Sequence, residues 1–188
     1  MEEQPKQRTN LVRTAASIAA FAHRDQKRKV EGTPYIFHPM AVAQKLVSAG
    51  VSNEITIAAA LVHDVLENTD YSEEKLRREL GDEAVAAVRA LTSDRTLSWR
   101  EKKERYIEQI RNGDDRVKMI SLADKIHNAE SLLDSHKKQG EAVWGKFNAG
   151  REDKIWFENE MLKIFKESLN DPLVEEYAGL IEKIKTLK

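Results

Sequence analysis

The residues with the clearest chemical meaning are a histidine and an aspartate side by side, His63 and Asp64, within the apolar run 58–67. Either side chain would be costly to bury alone in such surroundings. Two other segments offer partners for them, His38 and Asp124. Two imidazoles and two carboxylates can hold one divalent metal ion, and mixed ligation of this kind favours Mn²⁺, Fe²⁺, Zn²⁺ or Co²⁺ over Ca²⁺. The set predicts a metal-dependent phosphohydrolase, in which the metal activates water.

Two more polar side chains follow this pair along a predicted helix. Glu67 comes four residues after His63 and three after Asp64, so its side chain projects over the same side of a continuous helix. Asn68 comes four residues after Asp64 and also reaches the site. A carboxylate can accept a proton from water, whereas asparagine can only orient the water by hydrogen bonding.

A cationic loop precedes His38. Arg24, Lys27, Arg28 and Lys29 supply four positive charges against a single aspartate. A polyphosphate that approaches a metal needs such compensating charge. An ordinary solvated charge run has the same composition, and the loop alone does not decide between these two interpretations.

The composition is typical of a helix-rich globular protein. Charged residues make up 34% of the 188 residues, the hydrophobic set 40%, and the formal net charge is -1. This balance gives no basic signal for nucleic acid. The apolar stretches are too short to span a bilayer, the N-terminus lacks the apolar core of a signal peptide, and cysteine is absent. We expect a cytoplasmic protein with no nucleic-acid or membrane partner; the composition leaves the oligomeric state open.

Helical start and stop signals recur along the chain, and no window alternates convincingly with the period of a β-strand. Pro39 suits the first turn of one helix, and Ser98 suits the N-terminal cap of another. The sequence therefore predicts an all-α bundle formed by one domain, residues 1–188. Its motif-bearing core spans about 11–133, and C-terminal helices span about 151–187.

Six segments carry a combined pattern: Ala22-His23, Arg28-Lys29, Gly32 to Pro39, Ala59 to Glu67, Leu91 to Thr96, and Leu122 to Asn128. In this order they resemble the HD superfamily of metal phosphohydrolases. The match is nearest to the hydrolase domain of RelA/SpoT-type alarmone enzymes and to free-standing small alarmone hydrolases. The resemblance implies a helical HD bundle around a single metal. It also implies a reaction that removes pyrophosphate from the 3′ position of guanosine tetraphosphate or pentaphosphate. A length of 188 residues leaves no room for the synthetase domain of the long alarmone enzymes, so we expect hydrolysis only.

The resemblance assigns the metal and the catalytic carboxylate to individual residues. His38, His63, Asp64 and Asp124 match the positions at which the family holds its metal, usually Mn²⁺. Glu67 matches the acidic residue beside the attacking water.

The resemblance also implies contacts with the nucleotide substrate. Arg28 and Lys29 match a basic pair that meets the nucleotide, with the arginine packed on guanine. Asn128 matches a residue near the ribose or phosphates, and Arg95 a basic phosphate contact, although Arg95 alone fits a surface residue equally well. Trp156 and Phe157 fit either core packing or a wall of the base pocket, and the sequence leaves the role of Trp144 open.

One position departs from the family pattern. Relatives commonly have aspartate directly after the motif glutamate, whereas this chain has Asn68 after Glu67. Three explanations compete. Glu67 and the metal suffice for a slower hydrolase; or the substrate of this HD phosphatase is another phosphorylated nucleotide; or the protein is an alarmone-binding module with little turnover, by nature or through an engineered change at Asn68.

Overall fold

The computed structural model of the chain describes residues 10–146 and 149–187. Within these ranges the chain is helical, with one isolated antiparallel bridge between Lys27 and Pro34 and no β-strand. The predicted all-α fold is therefore confirmed. The helices are α1 (Leu11–Ala22), α2 (Phe37–Ser48), α3 (Glu54–Leu61), α4 (Val65–Asn68), α5 (Glu73–Leu80), α6 (Asp82–Leu91), α7 (Trp99–Asn112), α8 (Asp115–Gln139), the 3-10 helix Gly140–Lys146, α9 (Arg151–Ser168) and α10 (Pro172–Thr186).

Local sequence signals fix several helix boundaries. Ser98 and Glu101 form a reciprocal capping box at the start of α7, which satisfies two backbone N–H groups that have no partner within the helix. Asp114 caps α8 by accepting a hydrogen bond from the backbone of Val117. Between α5 and α6 the chain passes through Gly81 with φ of 82°, a conformation that favours glycine. The start predicted for α7 at Ser98 is thus confirmed.

Helix α3 lies at the centre of the bundle. It packs against α1, α2, α6 and α8. Ala58, Ala59 and Ala60 have no exposed surface, and their small side chains let the neighbouring helices approach closely. Because the C-terminal half of α3, Ala58 to Leu61, is buried, the chain that follows it carries His63, which is buried, and Asp64, which is partly buried.

The long helix α8 forms the second support of this interior point. It packs against α2, α3 and α10, and it buries Asp124 near its middle. Helices α9 and α10 pack against each other and against α8, so the C-terminal part of the chain covers the motif-bearing part. None of the helices in the described ranges is long and apolar enough to cross a membrane.

Candidate metal centre and nucleotide cavity

The His63-Asp64 pair lies in a turn, and the prediction of one continuous helix through this pair was wrong. Helix α3 ends at Leu61, and α4 begins at Val65. The ring Nδ1 of His63 lies 2.7 Å from the carbonyl oxygen of Ala60, which belongs to the last turn of α3. Such terminal carbonyls lack a partner within the helix, so the imidazole satisfies one of them and ends the helix there. The break frees both side chains from the 100° separation that a helix would impose.

The structure brings the four predicted metal ligands together. Nε2 of His38 lies 3.4 Å from Oδ2 of Asp64 and 3.1 Å from Oδ1 of Asp124. Nε2 of His63 lies 3.2 Å from Oδ2 of Asp64 and 3.8 Å from Oδ1 of Asp124. Both imidazoles are at least nine-tenths buried. Two nitrogens and two oxygens therefore face one small volume.

The opposite charges of the histidines and aspartates in this group favour the ionised form of each side chain. Burial alone would lower the pKa of His63, but Asp64 and Asp124 raise it well above its ordinary value. Burial alone would likewise raise the pKa of Asp64, but His63 and His38 hold it well below its ordinary value. The carboxylates thus stay ionised and require positive charge beside them, from protonated imidazoles or from a cation.

The donor set fits a divalent transition metal. Nε2 of His63 is buried and has no hydrogen-bond partner among the described residues, while Nδ1 is committed to Ala60. Nδ1 of His38 is similarly engaged, because it lies 2.8 Å from Nδ1 of His127. Ligating histidines characteristically use one ring nitrogen for the metal and the other for an outer hydrogen bond. The ligand atoms of His38, His63 and Asp124 all lie within 4.8 Å of one another.

A hydrogen-bond chain ties Asp64 to Asn68. The hydroxyl of Tyr35 donates to Oδ2 of Asp64 at 2.6 Å, and the side-chain amide of Asn68 donates to the same hydroxyl at 3.2 Å. Burial, together with Asp64, raises the pKa of Tyr35, so the phenol keeps its proton. The backbone oxygen of Asn68 accepts from Gln26 at 2.6 Å. Asn68 is therefore fixed at both its backbone and its side chain.

A second chain ties Asp124 to the cationic loop. The Asn128 amide donates to Oδ1 of Asp124 at 2.6 Å, and its oxygen accepts from Arg28 at 2.9 Å. Arg28 also pairs with Glu31 at 3.0 Å. The other carboxylate oxygen of Asp124 accepts from Lys125 at 2.7 Å. Arg28 is thus held in place by protein groups, which the sequence did not indicate.

Glu67 lies on α4 and is separate from the four candidate metal ligands. One of its carboxylate oxygens accepts a hydrogen bond from the backbone N–H of Ser93 at 2.8 Å, and this bond fixes its orientation. Ser93 follows α6, so the loop after α6 supports the candidate catalytic carboxylate.

A cavity of about 340 Å³ opens beside this centre. Three predicted substrate contacts, Arg28, Lys29 and Asn128, and the predicted catalytic residue Asn68 line it. The lining carries four cations against one carboxylate, which suits an anionic ligand. The remaining lining residues are Val30, Glu31, Tyr35, Trp99, Ser131, Leu132, Lys146, Ala149 and Lys154.

The structure places the predicted phosphate contact Arg95 elsewhere. Arg95 is exposed and lines a second cavity, which meets the first at Asn68.

The C-terminal aromatics also lie away from the lining. Phe157 is buried in the core against Tyr106, and Trp156 packs against Trp99. Trp144 lies on the 3-10 helix and packs against a small apolar cluster.

Sequence reasoning missed several residues of the cavity. Tyr35 stands in the motif segment from Gly32 to Pro39, three residues before His38, and this position could have pointed to it. Trp99 and Lys154 come from α7 and α9, outside every motif, and only the packing of these helices brings them to the cavity.

An all-α bundle with buried histidine and aspartate side chains converging in this way defines an HD-type metal phosphohydrolase. The chain belongs to the HD domain family, whose model matches residues 15–155.

Curated relatives match this chain over more than half of its length. The protein is 39% identical over 120 residues to the guanosine-3′,5′-bis(diphosphate) 3′-pyrophosphohydrolase MESH1 of Mus musculus, a match that covers 63% of this chain and 67% of the relative. It is 38% identical over 121 residues to an enzyme of the same description from Haemophilus influenzae, covering 61% of this chain but 18% of that protein. Among solved structures, a metazoan orthologue of SpoT that hydrolyses ppGpp superposes with a TM-score of 0.80 at 28% identity, over 95% of this chain and 97% of the other.

Proposed function

We propose that this protein is a metal-dependent hydrolase that removes pyrophosphate from the 3′ position of guanosine tetraphosphate and pentaphosphate. The observation that carries this function is the convergence of His38, His63, Asp64 and Asp124 beside a cavity with a cationic lining. The MESH1 relatives, which carry this activity in their names, support the choice of substrate.

Those four side chains would hold the metal, and Mn²⁺ is the ion we propose. When bound, a divalent metal lowers the pKa of water and stabilises charge on a phosphoryl oxygen. Ala60 and His127 orient the two imidazoles from behind, so the histidines need little rearrangement to bind an ion.

Glu67 would accept the proton of the attacking water. The backbone of Ser93 holds one of its carboxylate oxygens, which fixes the direction of the other. Asn68 would orient water or substrate through its amide, since it cannot accept a proton at neutral pH. This division of roles leaves Glu67 as the proposed general base.

Arg28, Lys29 and Asn128 would bind the nucleotide. Arg28 and Asn128 are already bonded to each other and, through Asn128, to Asp124, so they form a rigid edge between the nucleotide and the metal. Lys29 is exposed and supplies an adaptable charge. Arg95 remains a predicted phosphate contact; from the second cavity it could reach only groups that extend past Asn68.

The proposal extends to the direction of the reaction, the domain organisation and the cellular location. The described residues form a hydrolase-type site, and we propose hydrolysis without synthesis. The packing of α9 and α10 on α8 supports a single domain over the whole chain. A cytoplasmic location fits a substrate whose many charges keep it from crossing a membrane.

A nucleotide panel with products identified by mass tests this function. With Mn²⁺ present, guanosine tetraphosphate should yield GDP and pyrophosphate, and an Asp124→Asn variant should yield neither. Release of orthophosphate from another nucleotide would indicate a different HD phosphatase. Saturable binding of guanosine tetraphosphate without product would indicate a binding module, and either result would contradict the proposal.

A further inference from the structure

Trp99 lines the nucleotide cavity, and its indole ring has no role in the site described above. It is the first residue of α7, and the capping box of Ser98 and Glu101 fixes the backbone at this point. Its ring packs edge-to-face against Trp156, with 6.4 Å between the ring centres and 61° between the ring planes. The start of the helix and a neighbouring ring therefore both hold Trp99 in place.

The pair of Trp99 and Trp156 presents one indole to the cavity. The guanidinium of Arg100 lies over the Trp156 ring, 3.3 Å from its centre, and Trp156 does not line the cavity. Trp99 is half-buried, no cation from the described residues lies over its ring, and its indole N–H makes no hydrogen bond with any of them. Trp99 consequently has ring surface and a hydrogen-bond donor left for a ligand.

The other aromatic side chain of the lining is already occupied. The hydroxyl of Tyr35 donates to Asp64, and its ring centre lies 4.7 Å from that of His23. The guanidinium of Arg28 lies over the same ring, 5.8 Å from its centre. A flat ligand in the cavity therefore finds its free aromatic surface at Trp99.

A nucleotide needs such a surface as well as positive charge. The four cations of the lining match its phosphates, but they do not match the apolar faces of a purine. Bases stack on aromatic side chains in nucleic-acid-binding proteins, and this stacking tolerates any base because every base has a π face. Arg28 reaches the cavity from the loop before α2 and Trp99 from α7, so the two side chains approach a ligand from different elements.

We propose that Trp99 stacks on the purine base of the bound nucleotide and supplies affinity for the base without selecting among purines. This inference rests on the proposed function for its choice of a nucleotide as ligand, but it requires no hydrolysis. The base contacts the start of α7, and the aromatic wall of the base pocket is Trp99 in place of Trp156 or Phe157.

The test measures ligand binding to the full chain by calorimetry, without added metal. The ligands are GDP, IDP, whose base lacks the 2-amino group, and ribose 5-phosphate, which has no base. In Trp99→Leu we expect the Kd of GDP and that of IDP to rise by the same factor, about fivefold to a hundredfold, as for a lost base stack. The Kd of ribose 5-phosphate should stay unchanged, and Trp99→Phe should retain most of the affinity for both nucleotides.

Trp156 offers the matched control. Trp156→Phe keeps a ring against Trp99 and changes no residue of the lining, so it should leave all three Kd values unchanged. Indole fluorescence gives a second readout, because a base stacked on an indole changes its emission. GDP should change the emission of the wild type and of Trp156→Phe but not that of Trp99→Phe, since neither Trp144 nor Trp156 lines the cavity.

Several results would overturn the role of Trp99. These are an unchanged GDP affinity in a folded Trp99→Leu variant, an equal loss of affinity for ribose 5-phosphate, a loss restricted to GDP, or a wild type that binds neither nucleotide. If Trp99→Leu does not fold, an emission change in Trp99→Phe as large as in the wild type overturns it. A protein that binds GDP through Trp99 but releases no pyrophosphate would contradict the proposed function alone.

Discussion

The most informative perturbation is the replacement of Asn68 by aspartate. In the wild type, the Asn68 amide donates to the Tyr35 hydroxyl, which in turn donates to Asp64. An aspartate at this position cannot donate, so two carboxylates would compete for the single hydroxyl hydrogen of Tyr35. The exchange also adds a negative charge near Asp64 and Asp124.

Two effects of opposite sign follow from this geometry. General-base assistance is worth about 10²–10⁴-fold, so turnover should rise at least tenfold if proton acceptance limits the reaction. Against this, a hydrogen bond to a charged group contributes about 1.5–3 kcal/mol, and the metal-free variant should lose up to that much unfolding free energy. A bound cation offsets the added charge, so the loss should shrink when Mn²⁺ is present.

Steady-state kinetics on guanosine tetraphosphate at saturating Mn²⁺ measures the first effect, and denaturant unfolding with and without Mn²⁺ measures the second. Asn68→Ala is the control, because it removes the amide without adding a carboxylate, and it should not raise turnover. An Asn68→Asp variant that retains its metal but turns over no faster would refute the reasoning and leave Glu67 as a sufficient base.

Two further predictions concern the cationic loop and acid stability. Lys29→Ala should raise KM and leave kcat nearly unchanged, because Lys29 is exposed; Arg28→Ala should lower kcat as well, because Arg28 holds Asn128 against Asp124. Identical kinetic profiles for the two variants would contradict this. Burial, chiefly, lowers the pKa of His127 from 6.5 to about 4, so below pH 6.5 the unfolded chain binds a proton that the native state rejects. The free energy of unfolding of the metal-free protein should therefore decrease as the pH falls from 6.5 to 4. Denaturant unfolding of the metal-free His127→Gln variant should show a smaller decrease over the same range.

The convergence of the four candidate metal ligands could be predicted from the sequence because each stands in a short motif with recognisable chemistry. The same motifs misled in one respect, since an apolar run through His63 and Asp64 has the composition of an unbroken helix. The helix instead ends at Leu61, because a side chain within the run satisfies a terminal carbonyl. Such competition between a side chain and the helix leaves little trace in hydrophobic periodicity.

The nucleotide cavity was only partly predictable. Arg28 and Lys29 form one of the motif segments and carry charge, whereas Trp99 and Lys154 stand in ordinary charged helices outside every motif. What distinguishes these two is the packing of α7 against α9, a tertiary contact between segments about fifty residues apart. Arg95 is the opposite case. It stands in a motif segment, yet its side chain lines the second cavity and not the nucleotide cavity.

The central claim is that one metal ion, held by His38, His63, Asp64 and Asp124, supports pyrophosphate release. The most direct measurement is a titration of chelator-treated protein with Mn²⁺, in which bound metal and the rate of pyrophosphate release from guanosine tetraphosphate are recorded on the same sample. We predict no pyrophosphate release without metal, a rate that rises linearly with the amount of bound Mn²⁺, and a plateau in that rate at one ion per chain. Pyrophosphate release by metal-free protein, or a rate that does not follow the occupancy of a single site, would contradict the account.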